Sequence, residues 1–264
     1  MCPARIPASV VYKLLTRIKL PFTFAHPAIV LPLKRRFCNL SLTGLVIGSI
    51  TPDFKYFIRM EVKSLYSHTA VGLFWFDLPM GILLAFIYHN LVRNFLLNNL
   101  PNYIFLRFAG FRTFNWNAYF RKNLTTVLLS LFIGIVSHIL WDGFTHKSGF
   151  ISDLFPWLKA TIYPLGYLLP VYRLLQHLST VAGILYIYFF VKALPAADCA
   201  HKVSSPYYWP VVFGTASAFF IAEMFARHWH AAAGSLIVII ISVLILGLLA
   251  GPLSARLKRQ WQTE

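Results

Sequence analysis

The sequence predicts an all-α protein, a polytopic bundle of transmembrane helices with five or six spans. Of its 264 residues, 58% are hydrophobic and only 12% are charged, whereas a soluble domain averages about 45–50% apolar and about 25% charged residues. Several apolar runs approach the roughly 20 residues that a helix needs to cross a bilayer. Together these observations exclude an ordinary soluble domain and favour a multi-pass membrane protein.

Five apolar runs indicate membrane spans by their length and their low charge. They cover roughly residues 70–92, 124–141, 174–192, 207–226 and 233–252. A sixth candidate, residues 40–58, has an uninterrupted apolar run too short for a clear span. A re-entrant or half-buried helix explains this segment as readily as a full crossing.

The charge balance is strongly basic, with 24 Lys and Arg residues against 8 Asp and Glu residues. In a soluble chain this balance would suggest nucleic acid as a partner. Here the basic residues lie between apolar runs, which is typical of topology control and of contact with anionic lipid. We therefore expect membrane lipid as a partner and no nucleic acid, and the sequence specifies no protein partner. The three cysteines have no paired spacing, so neither a disulfide framework nor a zinc ribbon is indicated.

The stretch SHILWDGFTH, residues 137–146, places an aspartate between two histidines at the end of a predicted span. His138, Asp142 and His146 follow the spacing i, i+4, i+8, so a helix carries all three on one face. His138 and His146 would lie about 12 Å apart along the axis, too far to share one ion at bonds of about 2 Å. His138 and Asp142 are therefore the predicted ligand pair, and His146 would serve a second ion or support a ligand. The structural alternative is a helix end where His146 caps carbonyls and Asp142 pairs with an arginine.

Other polar residues fall at the same end of the predicted spans. His68 precedes the first span, His177 begins the third, and Asp53 lies in the sixth candidate. Each has a structural explanation as a helix cap or a single satisfied polar group. Their expected convergence on one membrane face nevertheless favours a metal site. Imidazole and carboxylate ligands suit Zn²⁺, which we expect, and also Mn²⁺ or Fe²⁺.

His26 joins this face only under one condition. Residues 24–50 must form a hairpin that enters and leaves on one side, and Lys34, Arg35 and Arg36 must then stay out of the hydrocarbon. A full crossing at residues 40–58 would leave His26 on the opposite face. The sequence leaves both arrangements open.

Six short motifs carry a resemblance to a known family. They are PFTFAHPAIVLPL (21–33), GSITPDFKYF (48–57), SHT (67–69), FDLP (76–79), SHILWDGFTH (137–146) and QHLST (176–180). In this order they resemble the bacterial membrane family called domain of unknown function 4184, from about Pro21 to Val191. More distantly, the P-D, H-T and H-x-x-x-D elements are similar to the membrane-bound metal-dependent hydrolases, a family likened to zinc-dependent phospholipase C.

The resemblance implies a division of the chain and a set of functional residues. Residues 1–20 become a basic N-terminal extension, 21–191 a metal-site membrane domain, and 192–264 a linker with two further transmembrane helices, in a bacterial inner membrane. The implied functional residues are His26, Asp53, His68, His138, Asp142, His146 and His177. The distant hydrolases carry P-D-x-D where this chain has Pro52-Asp53-Phe54-Lys55, so one carboxylate of a two-metal centre is missing.

The leading functional hypothesis is an integral-membrane, metal-dependent hydrolase of lipid or phosphoester substrates. Its metal ligands would be His26, Asp53, His68, His138, Asp142 and His177. Asp53 would be a ligand or a general base, and His146 a proton carrier or the hydrogen-bond partner of a ligand.

Two other classes of function are compatible with the sequence. A transporter or channel would use Asp77, which lies inside a predicted span two residues before Pro79, as part of an ion or proton path. A non-catalytic membrane protein would use the polar cluster only to fix helix packing. Enzymatic activity is therefore a hypothesis at this point.

Overall fold

The computed structural model describes residues 23–62, 70–147, 149–163, 168–198, 202–230 and 233–261. The structure is 79% helical with almost no strand, which confirms the predicted all-α bundle. Five of its helices are long and apolar enough to cross a membrane. The predicted extension 1–20 and His68 lie outside the described residues.

The first part of the chain forms short helices followed by two spans. These helices are α1 (Pro27–Arg36), α2 (Leu42–Gly48), α3 (Phe54–Arg59), the long α4 (Leu73–Asn99), α5 (Asn102–Phe108), α6 (Trp116–Lys122) and the long α7 (Leu124–Thr145). Three-residue 3₁₀ helices lie at Thr23–Ala25, Thr51–Asp53 and Ala109–Phe111. A short helical segment, Ala70–Gly72, leads into α4.

The second part contains three spans and a small hairpin of strands. It runs through α8 (Phe150–Leu154), a 3₁₀ helix (Pro156–Lys159), β1 (Thr161–Ile162), β2 (Leu169–Pro170), α9 (Val171–Lys192), α10 (Tyr208–Ala226) and α11 (Ala233–Trp261). The strands are antiparallel, with Thr161 opposite Pro170 and Ile162 opposite Leu169. We call the end of the bundle where α7 finishes and α9 begins the site end, and the opposite end the far end.

Helix α4 changes register twice. It contains π-helical segments at Leu73–Asp77 and Tyr88–Val92. The first ends two residues before Pro79, which donates no backbone hydrogen bond and crowds the carbonyl of Trp75. A wider turn at this point accommodates the proline without ending the helix, and it places the Asp77 side chain in the fully buried interior.

The segment 40–58 is not a sixth span, because α1 and α2 form the hairpin on which the position of His26 depends. The turn between them is held by Lys34, whose Nζ donates to the carbonyls of Cys38 and, at 2.7 Å, Leu40. At the same tip the Arg35 guanidinium lies 5.1 Å from the ring centre of Phe190, near the far end of α9. The basic triplet therefore lies at the far end of the bundle, and both ends of the hairpin return to the site end.

A close helix crossing attaches this hairpin to α7. A Cβ on Gly48 would lie 2.3 Å from the carbonyl oxygen of Leu131, and one on Gly134 would lie 2.5 Å from that of Leu45. Only residues without a side chain allow two backbones to approach so closely in a membrane bundle. The crossing fixes the position, along the axis of α7, of the residues that follow α2, including the Thr51–Asp53 turn.

The last two spans form a pair that joins the bundle through α3. Ala216 of α10 packs with Ile239 and Val243 of α11. On its other side α11 presents Val238 to Tyr56 and Phe57 of α3. Helices α10 and α11 thus pack against α3 near the site end, and neither contributes a predicted site residue.

Candidate metal centre

Three predicted site residues from distant parts of the sequence converge at the site end. One ligand atom from each of His26, His138 and Asp142 lies within 4.8 Å of the others, and all three residues are buried. His138 lies seven residues before the end of α7, or about 10 Å along the helix axis. The cluster therefore lies below the helix ends, within the apolar part of the bundle.

Backbone carbonyls orient both imidazoles of the cluster. His138 Nδ1 donates to the Ser49 carbonyl at 2.8 Å, and His26 Nδ1 donates to the Thr23 carbonyl at 3.1 Å. A carbonyl accepts and cannot donate, so each Nδ1 carries the proton and each Nε2 of a neutral ring keeps its lone pair. Histidines that bind metals in proteins are oriented in the same way by a carbonyl on the second nitrogen.

The Nε2 atoms of both rings face carboxylate oxygens. Asp142 places Oδ1 3.2 Å from His26 Nε2 and Oδ2 3.2 Å from His138 Nε2. Asp53 places Oδ1 3.5 Å from the same His138 nitrogen. Nitrogen lone pairs and carboxylate oxygens repel each other unless a positive species lies between them. Protons or a metal ion would satisfy this donor set, and its chemistry suits a zinc-type ion.

Asp53 is held beside the cluster by the residues around it. Its Oδ2 accepts a hydrogen bond from the Thr23 hydroxyl at 2.6 Å. Burial raises the pKa of the Asp53 carboxyl, but the neighbouring His138 lowers it further, so that its pKa stays below the ordinary value of 3.8. This effect requires a protonated His138 ring, which is the alternative to a metal ion in this donor set, and it keeps Asp53 an anion.

His146 lies at the edge of the cluster. Its Nδ1 is 3.5 Å from Asp142 Oδ1 and 3.2 Å from the Asp142 carbonyl oxygen. Its side chain is 28% exposed, against 8% for Asp142. The structure thus places His146 next to a cluster carboxylate and closer to the surface, and its predicted role as proton carrier or supporting residue stays a prediction.

The two other predicted ligands are His177 and His68. His177 is half-buried on α9 and is not one of the three converging residues. His68 falls in the part of the chain outside the described ranges. Their assignment as ligands therefore stays a prediction.

Two features of the site are absent from the predicted set. Thr23 is buried and bonds both Asp53, through its hydroxyl, and His26, through its carbonyl. The glycine crossing of α2 and α7 sets the distance from the Ser49 carbonyl to His138. Thr23 lies within the quoted motif of residues 21–33, but no spacing or charge pattern indicates its role, whereas the spacing Gly44-x-x-x-Gly48 is a small-residue signal for a close helix crossing.

Comparison with known families assigns the chain. Residues 20–253 match the family described as Domain of unknown function (DUF4184). The chain belongs to this family. The match continues beyond residue 191 through most of α11, and the predicted division of the chain at that residue stays a prediction. No curated protein and no solved structure matches the chain.

Proposed function

We propose that this DUF4184 protein is an integral-membrane metalloprotein that hydrolyses lipid or phosphoester substrates. One observation carries the proposal: two buried imidazoles, each oriented by a backbone carbonyl, direct their Nε2 atoms at a shared carboxylate. A purely structural cluster needs no such matched orientation of both rings. This arrangement supports metal binding more directly than it supports any particular reaction.

The residues divide into ligands and supporting groups. His26, His138 and Asp142 would hold the ion. Asp53 would complete the donor set or take a proton from water, because its Oδ1 faces the same His138 nitrogen. His146, at the exposed edge, would move protons between the site and the surface.

The reaction would be hydrolysis of a phosphoryl or acyl group. A bound divalent ion would supply Lewis-acid polarisation of that group and would acidify water at neutral pH. The chain itself supplies the carboxylates, the exclusion of bulk water by burial and, through His146 at the end of α7, a link from the buried cluster towards the headgroup layer. This link supports an amphiphilic substrate.

The distribution of basic residues supports a location in the bacterial inner membrane with the far end in the cytoplasm. Cytoplasmic segments of membrane proteins are rich in Lys and Arg. Among the residues whose side chains the structure describes, the far end carries ten Lys and Arg residues and the site end six. Those at the far end are Lys34, Arg35, Arg36, Arg93, Arg107, Arg112, Arg121, Lys122, Lys192 and Lys202, and those at the site end are Lys55, Arg59, Lys147, Lys159, Arg173 and Arg227. The metal centre would then open to the periplasmic side.

Metal analysis tests the proposal directly. The protein would be purified in detergent without chelator, and its metals measured by plasma mass spectrometry, beside His26→Gln and the control His230→Ala. His230 is exposed at the same end of the bundle. About one equivalent of zinc, manganese or iron in the wild type and the control, and loss in His26→Gln, is the expected result. A folded wild type that binds no added metal would refute the proposal.

Turnover separates the hydrolase from its alternatives. Metal-loaded protein would be assayed against vesicles containing lipid phosphoesters, and hydrolysis should stop on chelation and return on adding metal. Bound metal without turnover would assign a structural role to the site. A transporter would instead lose activity in liposomes on Asp77→Asn and be insensitive to chelator.

A further inference from the structure

The segment after α7 folds back onto the metal centre. A Cβ on Gly149 would lie 2.4 Å from the carbonyl oxygen of Gly143, so the chain turns tightly against the last turn of α7. The buried Ser152 hydroxyl, with one proton to donate, lies 2.8 Å from the carbonyl oxygen of His146 and 2.7 Å from that of Gly149. Residues 149–163, which we call the platform, are thus attached to the turn that carries Asp142 and His146.

The platform has a buried side and an apolar exposed side. Ile151 and Leu158 are buried and anchor it to the bundle. Its exposed large side chains are Phe150 (49% exposed), Leu154 (70%), Phe155 (48%), Trp157 (59%) and Tyr163 (69%). Five large exposed apolar side chains within 15 residues are unfavourable in water and indicate an interaction surface.

The position of the platform indicates what covers this surface. It connects the site end of α7 to the site end of α9, and both helices are candidate membrane spans. A segment between two span ends lies at the membrane–water boundary or extends beyond it into water. The exposed Trp157 and Tyr163 favour the boundary for the platform, because tryptophan and tyrosine are enriched there. Its exposed charges, Lys159 and Asp153, form an ion pair with each other. The pair has no net charge, which makes contact with the membrane less costly. The platform therefore lies where the two spans end at this face of the membrane.

We propose that the platform inserts its apolar side chains into the lipid leaflet at the site end, so that the metal centre opens into the headgroup layer. His146, the most exposed member of the cluster, lies three residues before the first residue of the platform. A substrate would then reach the site from within the leaflet, as an amphiphile whose headgroup lies at the level of His146. This substrate route rests on the proposed function, whereas the insertion itself does not.

Spin-label accessibility in liposomes tests the insertion. Cys2, Cys38 and Cys199 would be replaced by serine, and single cysteines introduced as Leu154→Cys, Trp157→Cys and, as control, His230→Cys. His230 is exposed at the same end of the bundle, outside the platform. Relaxation by oxygen, which concentrates in lipid, would be compared with relaxation by a water-soluble nickel chelate.

Labels at positions 154 and 157 should be several-fold more accessible to oxygen than to nickel, and the label at position 230 should show the reverse. Nickel accessibility at 154 and 157 equal to that at 230 would overturn the inference. Because each variant changes an exposed side chain, folding is expected to be retained, and correct folding would be checked by size-exclusion chromatography. The measurement requires no bound metal, so its failure is distinguishable from failure of the metalloprotein proposal.

Discussion

The imidazoles of His26 and His138 stack face to face, with ring centroids 4.1 Å apart and ring planes 18° from parallel. Because each ring is bonded through Nδ1 to a carbonyl, stacking brings the two Nε2 atoms to the same side, where Asp142 spans them with one carboxylate. The pair joins the hairpin to α7. Assembly of the site and docking of the hairpin are therefore the same structural event.

Replacement of Asp142 should abolish tight metal binding. Asp142→Asn keeps the shape of the side chain but removes the charge and replaces one of the two oxygens that face Nε2 atoms. Since loss of a residue that merely supports a ligand costs about 10–100-fold in affinity, loss of this shared carboxylate should cost at least about 100-fold. Titration with zinc in the presence of a competing chelator would measure the change.

The matched control is Asp153→Asn, which removes a carboxylate that is 64% exposed on the platform. Its affinity for zinc should equal that of the wild type. Equal losses in both variants would show that overall charge, and not the cluster, determines binding.

The sequence predicted the long helices well because their signal is local. The runs at 124–141 and 207–226 became Leu124–Thr145 and Tyr208–Ala226, since an uncharged stretch of this length has few alternatives to a membrane helix. The pairing of His138 with Asp142 was predictable for the same reason, because i, i+4 residues meet on any α-helix.

The position of His26 could not be predicted from local signals. Lys34, Arg35 and Arg36 are compatible with either membrane face, and the choice depends on the contacts that the hairpin makes with α7 and α9. Likewise, the Thr23 contacts arise only when the hairpin is docked. Tertiary packing, not the pattern of the sequence, brings these residues to the site.

Adding a methyl group at Gly48, where α2 crosses α7, should destabilise the protein. In most helices Gly→Ala is stabilising by up to about 1 kcal/mol, because alanine loses less backbone entropy on folding. At Gly48 a methyl group would overlap the Leu131 carbonyl oxygen, and overpacking of this kind typically costs about 1–3 kcal/mol. Thermal unfolding in detergent should show a lower Tm for Gly48→Ala, together with weaker zinc binding, because His138 would lose its alignment with Ser49.

Gly214 of α10 provides the control, because a Cβ there meets no atom within 4 Å. Gly214→Ala should leave the Tm unchanged or raise it. A lower Tm for both variants would mean that the effect at Gly48 does not come from the helix crossing.

Lys55 and Asp77 should be energetically coupled. Lys55 is buried on α3, and Asp77 is fully buried on α4. Burial lowers the pKa of Lys55 to about 8, against the opposing effects of Asp77 and then Asp53. Lys55→Met alone leaves the buried Asp77 carboxylate without the favourable charge of Lys55, and Asp77→Asn alone leaves the buried Lys55 amine without that of Asp77. The double variant removes both charges. The cycle should therefore show a coupling energy of about 1–3 kcal/mol, measured from unfolding in detergent.

The comparison cycle pairs Lys55→Met with Asp153→Asn, whose carboxylate lies on the exposed side of the platform. These changes should add within about 0.5 kcal/mol. Additivity in the Lys55–Asp77 cycle as well would remove the structural explanation of Asp77 and favour its role in an ion path.

Stability should also depend on the protonation of Lys55. Its pKa is about 8 in the folded protein, against the ordinary value of 10.5. Well below pH 8 the amine is protonated in both the folded and the unfolded states, so the free-energy cost of burying its charge does not change with pH. Between about pH 8 and 10.5 the unfolded state binds more protons, and the free energy of unfolding therefore rises with pH.

The Tm of the wild type, measured relative to that of Lys55→Met, should increase from pH 8 to pH 10. The exposed Lys147→Met variant corrects for effects of pH on the detergent and on other groups. A difference that stays flat or falls over this range would contradict the burial of a charged Lys55.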